Sequence, residues 1–164
     1  MPIINIKQPE VIQIDDILRL RKFDNNYEFA LKWYQHKETV KLVDGVESTY
    51  DYDQLSRMYH YLNDKGELYF IEIYESGKYI TIGDVTFWNE DMPIVIGDCR
   101  YRHKGIGKKV VEALIKRGRE LGYNELFVRE IYDFNLGSIN LFKNLGFKAY
   151  KDTEKGKSYR LELK

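Results

Sequence analysis

The chain has 164 residues, near the common size for one compact domain, with 43% hydrophobic residues and 26 basic side chains balanced by 26 acidic ones. The 8 Phe, 14 Tyr and 2 Trp supply a core that needs neither disulfides nor metal, and the neutral balance gives no long-range attraction for nucleic acid or anionic lipid. One cysteine, Cys99, excludes an internal disulfide framework, MPIINIKQPE lacks the pattern of a signal peptide, and nothing approaches the roughly 20 apolar residues of a membrane span, so a cytoplasmic protein of one domain, residues 1–164, is expected, with no nucleic-acid or membrane partner.

The first predicted strand runs from Val11 to Phe23, where Leu18 and Leu20 alternate with Arg19 and Arg21. FDNNYEF reads as a turn feeding a helix, with Asp24 or Asn25 as cap and Phe29, Leu31, Trp33 and Tyr34 as apolar content. DGVESTYD ends that helix, and a second follows from about Tyr52 to Asn63, with Leu55, Met58, Tyr59 and Leu62 at helical spacing. LYFIEIYE and YITIGDVTFW flank the turn ESGK as a hairpin, and Pro93 to Ile96 reads as a short buried strand. From Gly105 to Leu121 the period is helical: Ile106, Val110, Leu114 and Leu121 share one face, Lys108, Lys109, Glu112, Lys116 and Glu120 the other, and Gly122 suits the C-terminal cap. LFVREIY is the next strand, Asn135 to Gly146 the next helix, and FKAYK with SYRLEL a closing pair. This order predicts an α/β layer: a mixed central sheet of about six or seven strands with helices on both faces.

Arg102-His103-Lys104-Gly105-Ile106-Gly107-Lys108-Lys109 lies between the short strand and the amphipathic helix. A helix N-terminus presents unpaired N–H groups and the positive end of the macrodipole. Gly105 and Gly107 lack a Cβ, so a bulky anion can approach that backbone, and Arg102, Lys104 and Lys108 add positive charge. The same residues also suit a tight strand-to-helix turn with solvated lysines, and neither GxGxxG nor GxxxxGK[ST] is present.

Arg-x-x-Gly-x-Gly after a short strand and opening a long helix resembles motif A of the GNAT superfamily of N-acetyltransferases. A helix and a strand later, Asn135-Leu-Gly-Ser138-Ile-Asn-Leu-Phe142-Lys-Asn-Leu145-Gly146-Phe147 is similar to the family's second signature. LRLRKFDNNYEFALKW resembles the opening of the branch with ribosomal-protein N-terminal and aminoglycoside acetyltransferases. The resemblance spans essentially the whole chain and implies the GNAT fold, with acetyl-CoA as co-substrate and no metal.

Carried across by motif, the resemblance implies that His103, Lys104, Gly105, Ile106, Gly107 and Lys108, with Arg102, hold the coenzyme A diphosphate. It implies that Val95, Ile96 and Gly97 pair with the pantetheine arm and polarise the thioester carbonyl, and that Asn135 contacts the pantetheine; Asn135 equally suits a helix N-cap. Glu130 matches the base position of the protein N-terminal branch. On a regular strand it shares a face with Leu126, Val128 and Tyr132; a strand glutamate paired to Lys or Arg is the alternative. Phe142 departs from the family, which often has a proton-donating tyrosine there, and Tyr132 or Tyr101 are substitutes. His36 and His60 are isolated, and Cys99 has no paired His or Asp motif.

The implied activity is transfer of acetyl to a small-molecule amine or a peptide N-terminus by direct attack in a ternary complex, by a monomer or homodimer. Asp44, Glu47, Asp51 and Asp53 with Tyr50 and Tyr52 suggest an acidic, aromatic wall for a cationic acceptor, or simply a polar loop with capping acids. The competing functions are a non-catalytic acyl-CoA sensor, favoured by Phe142, and a small-anion or nucleotide binder using only the helix N-terminus.

Overall fold

The computed structural model describes residues 5–164. Where one strand is expected from Val11 to Phe23, there are two: β1 (Val11–Gln13) and β2 (Leu18–Lys22), paired antiparallel. The Asp15 carboxylate breaks the run, because its Oδ1 accepts from the N–H groups of Ile17 and Leu18, both at 2.9 Å, and so closes a turn. The first expected helix is also divided. A 3-10 turn (Glu28–Ala30) leads into α1 (Leu31–Tyr34), and after an extended His36 the chain forms α2 (Lys37–Asp44), which Gly45 ends at φ +75°. Asp24 and Asn25 build the preceding turn instead of capping: Asp24 accepts from Asn26 N–H, and Asn25 has φ +67°.

Helix α3 (Tyr52–Lys65) is capped by Asp51, whose carboxylate accepts from Gln54 N–H at 2.8 Å. β3 (Glu67–Glu75) and β4 (Lys78–Phe87) form the expected hairpin. β5 (Ile94–Ile96) is a half-buried edge strand, not a buried one, since it pairs with β4 alone. Then come a 3-10 turn (Cys99–Tyr101), α4 (Ile106–Glu120), β6 (Glu125–Tyr132), α5 (Leu136–Asn144), β7 (Lys148–Asp152) and β8 (Gly156–Glu162). Gly122, at φ +81°, lets Tyr123 N–H reach Gly118 O and close α4.

The α/β fold with helices on both faces holds, but the sheet is mainly antiparallel. Five strands run in the order β1-β2-β3-β4-β5 and three in the order β6-β8-β7, and every paired neighbour is antiparallel. β3 shows why both faces are covered. Tyr69 and Ile71 join the core under α4, with Val110, Val111 and Leu114, whereas Leu68 and Phe70 join an aromatic core with Trp33, Tyr34 and Tyr59 from α1 and α3. All four β3 side chains are fully buried, and each is worth about 1.5–3 kcal/mol. Arg117 of α4 pairs with buried Glu67 at 2.7 Å, fixing the helix to β3.

Candidate active site

β5 ends the five-stranded sheet, and the chain returns through α4 to place β6 beside it. The two strands meet at one end only. There Asp91 Oδ1 accepts from Arg129 N–H at 3.0 Å and from Met92 N–H at 2.9 Å, while Phe127 N–H donates to Asn89 O. Beyond this clasp β5 and β6 are not hydrogen-bonded to each other, and a cavity of about 840 Å³ opens between them.

The β5 wall is made of peptide groups. Thr86 N–H donates to Pro93 O, so by the two-residue repeat of an antiparallel ladder Val95 directs its polar groups at β4. Ile94 and Ile96 then turn theirs to the open side, where Ile96 O accepts from Arg102 Nε at 2.9 Å. Gly97 lies away from the cavity: a Cβ there would sit 2.2 Å from the Trp33 ring, so glycine is required for packing.

The glycine-rich turn closes one end. His103 and Gly105 have φ of +60° and +78°, the left-handed region, and a Cβ on Gly105 would meet nothing within 4 Å. Among the described residues, the N–H groups of residues 103–108 donate to no protein acceptor, and no carboxylate pairs with Lys104 or Lys108. This is a fit for a bulky polyanion: free donors, the positive end of a 15-residue helix, and an open approach. Gly107 meets α5 instead, because a Cβ there would be 3.3 Å from Leu141.

Of the cofactor-binding positions expected from the sequence, Val95, Ile96, Arg102, His103, Gly105, Ile106, Gly107, Lys108 and Asn135 all line the cavity; Gly97 and Lys104 do not. Arg102 is half-committed, since its Nη2 donates to Thr39 Oγ1 of α2 at 2.7 Å. Asn135 caps α5 by accepting from Ser138 N–H at 3.2 Å, and still faces the cavity.

The β6 wall is made of side chains. Glu130 does not share the apolar face of Leu126 and Val128, because a bulge between Val128 and Ile131 turns both Arg129 and Glu130 outward. Glu130 lines the cavity as an exposed carboxylate and accepts from Thr153 Oγ1. Tyr132 is half-buried, stacked on Phe134 at 5.5 Å, with its ring against Gly45. Burial first, then the Glu130 and Asp44 carboxylates, push its phenol above the usual 10, so it stays protonated and able to donate. The Tyr101 hydroxyl is occupied by Glu75. Phe142 is 2% exposed, edge-on to Phe147 at 5.1 Å, and offers no proton.

Ile94, Asp91 and Thr39 are among the cavity residues that escaped sequence reasoning. Ile94 faces the opening as described. Asp91 clasps the two strands, and burial pushes its carboxyl up against the lowering effect of the two N–H donors. Thr39, 2% exposed, anchors Arg102. Asp91 stands 38 residues from its partner Arg129, and Thr39 stands 63 from Arg102, separations at which no local motif signals a contact.

A family model described as the acetyltransferase (GNAT) family matches residues 27–147. The N-acetyltransferase 9-like protein of Caenorhabditis elegans is 29% identical over 152 residues, covering 80% of this chain and 75% of that protein. A domain from Methanocaldococcus jannaschii has a similar structure, with a TM-score of 0.79 and 22% identity over 90% of this chain and 99% of that one. The microcin C7 self-immunity acetyltransferase, solved with acetyl-CoA and AMP, matches with a TM-score of 0.70 and 18% identity over 94% and 97% of the two chains. At these identities the two structures share the fold.

Proposed function

The chain belongs to the acetyltransferase (GNAT) family, and on that premise we propose that it carries acetyl from acetyl-CoA to a primary amine in a ternary complex. The observation that carries this is the cleft between the free edge of β5 and β6, ending at the unpartnered N–H groups of the Gly105 turn. Those N–H groups, with Lys108, hold the diphosphate, and the outward amide of Ile96 pairs with the pantetheine arm and polarises the thioester carbonyl. Acetyl-CoA supplies a thioester carbon open to attack.

An amine reaches the site as an ammonium and must first lose a proton, which Glu130 accepts directly or through water. The nitrogen lone pair then forms the C–N bond as the C–S bond breaks, the nitrogen gives up a second proton, and the departing sulfur takes one from Tyr132. The net products are an acetamide, free thiol and one proton. Tyr132 thus fills the place left by Phe142, and Asp91 positions the wall that carries Glu130. The acceptor enters along α2, and the opening segment Leu18–Trp33 supports kinship with the ribosomal-protein N-terminal and aminoglycoside branch, a kinship that does not itself fix the acceptor. We place the protein in the cytoplasm on its cysteine usage; among the described residues no helix is long and apolar enough to cross a membrane.

The buried, hydroxyl-free Phe142 favours a second function, a non-catalytic sensor of acyl-CoA. Two measurements decide. Acetyl-CoA at 100 times its Kd raises the unfolding free energy by about 2.7 kcal/mol, and ATP at the same concentration does not; equal stabilisation by ATP removes the thioester-specific site. Thiol release that requires an added amine supports transfer, and binding without release supports the sensor.

A further inference from the structure

The acidic wall expected between Asp44 and Asp53 is dispersed in the structure. Asp44 accepts from the Tyr50 hydroxyl at 2.8 Å, Asp51 caps α3, and none of Asp44, Glu47, Asp51 and Asp53 lines the cleft. The wall facing α2 is apolar instead. Leu42 and Val43 of α2 line the same cavity as Tyr132 and Phe134, whose rings lie parallel within 11°. Phe134 remains 44% exposed and Leu136 66% exposed at the rim, so two large apolar side chains stand uncovered beside the opening.

The charge around this opening also speaks against a polycation. Lys41 Nζ sits 5.5 Å above the Phe134 ring, so a second positive charge on the acceptor would meet like charge at the rim; Arg129, which also borders the cavity, is paired with Glu90 at 3.6 Å. Glu38, Asp91 and Glu130 are the carboxylates that line the cleft; Glu38 and Glu130 are exposed, and Asp91 is tied to the N–H groups of Arg129 and Met92. Glu38 and Glu130 suit one ammonium group, placed beside the apolar rim. We propose that the acceptor is a primary amine attached to an apolar or aromatic body, which sits between Leu42 and Val43 on one side and the Tyr132–Phe134 pair on the other. This rests on the acetyl-transfer function above and replaces polyamines and aminoglycosides as the acceptor class.

Two sources carry this chemistry: a small arylalkyl amine, and a peptide whose first residue has a bulky apolar side chain. Thiol release from acetyl-CoA is measured with phenethylamine, with a Phe-initial peptide, with spermine and with an aminoglycoside. The better apolar probe exceeds both polycations in kcat/KM by about tenfold or more, and the order of the two apolar probes tells a small molecule from a peptide. Phe134→Ala lowers kcat/KM for that probe about tenfold more than for ethanolamine, chiefly through KM. Leu42→Ala gives the same split and guards against a folding defect confined to one variant. Faster turnover of spermine or the aminoglycoside, or an equal loss for apolar and polar amines in both variants, overturns the proposal. Absence of acetyl-CoA binding to the wild-type protein by calorimetry, or binding without thiol release on any amine, overturns the transfer function itself.

Discussion

The β5 wall of the cleft presents peptide groups, whereas the β6 wall presents side chains. On the first, Ile94 and Ile96 face the opening through N–H and C=O, and the turn offers the amides of residues 103–108. On the second, Glu130 and Tyr132 face the opening because a bulge turns Glu130 off the apolar register and Gly45 makes room for the Tyr132 ring. The backing differs too. Behind Val95 lies its cross-strand partner Asp84, 2% exposed, held by the hydroxyls of Tyr34 at 2.6 Å and Tyr59 at 2.8 Å. Glu130 is restrained by one surface threonine. A backbone wall tolerates changes of side chain but needs a stiff support; a side-chain wall loses its chemistry with one substitution.

That contrast predicts the largest effect at Glu130. Glu130→Gln keeps the shape and removes the proton acceptor, so kcat falls by about 10²–10⁴-fold and the pH–rate profile shifts, while the acetyl-CoA Kd from calorimetry stays as in the wild type. An unchanged rate and profile would show that the β6 wall also works through its backbone, and the contrast would break.

Asp84 sharpens the other side. Burial pushes its carboxyl from the usual 3.8 up to about 6, against the lowering effect of the two tyrosine hydroxyls. Because the folded value lies above the unfolded one, this group's stabilisation is complete below pH 3.8. It is lost as pH rises to about 6, and the loss amounts to about 3 kcal/mol. Asp84→Asn keeps an acceptor for the hydroxyls and abolishes that slope, so denaturant titrations show the variant gaining on the wild type between pH 4 and 6.5. Retained acetyl-CoA affinity would mark Asp84 as support alone; a matching loss of affinity would show that the carboxylate charge reaches the cleft.

What was legible in the sequence follows the same division. Gly105, at φ +78° with open space where a Cβ would stand, reports a backbone that must be free. That requirement is local, so the turn and α4 stand out at their positions, whereas Gly107 makes room for Leu141 of α5. The hairpin signal around ESGK found β3 and β4, and the apolar run LFVREIY found β6, from residues close together in the chain. The clasp of Asp91 on Arg129 and the bulge beside Glu130 depend on which strand lies alongside, and β8 is fixed only by the tertiary fold. Two carboxylates, Asp15 and Asp51, look alike in the sequence, yet one folds a hairpin and the other caps α3. Gly97 belongs to the signature region by position, but its purpose is room for Trp33, a contact no spacing encodes.

The smallest predicted effect tests whether the proposed cofactor and acceptor regions communicate. Arg102 bridges them: Nε holds Ile96 O beside the Gly105 turn, and Nη2 holds Thr39 of α2, one residue from Glu38. Thr39→Val removes one hydrogen bond in a buried site at nearly constant volume, worth about 1 kcal/mol, or about fivefold in an equilibrium constant. If the link transmits, acceptor affinity at saturating acetyl-CoA weakens by about that factor, and acceptor affinity without acetyl-CoA moves less. Calorimetric titration of the acceptor with and without acetyl-CoA separates the two cases, because a coupling free energy appears only in the difference. Equal weakening in both titrations would make Thr39 a packing residue of α2, and the two regions would then bind their ligands independently.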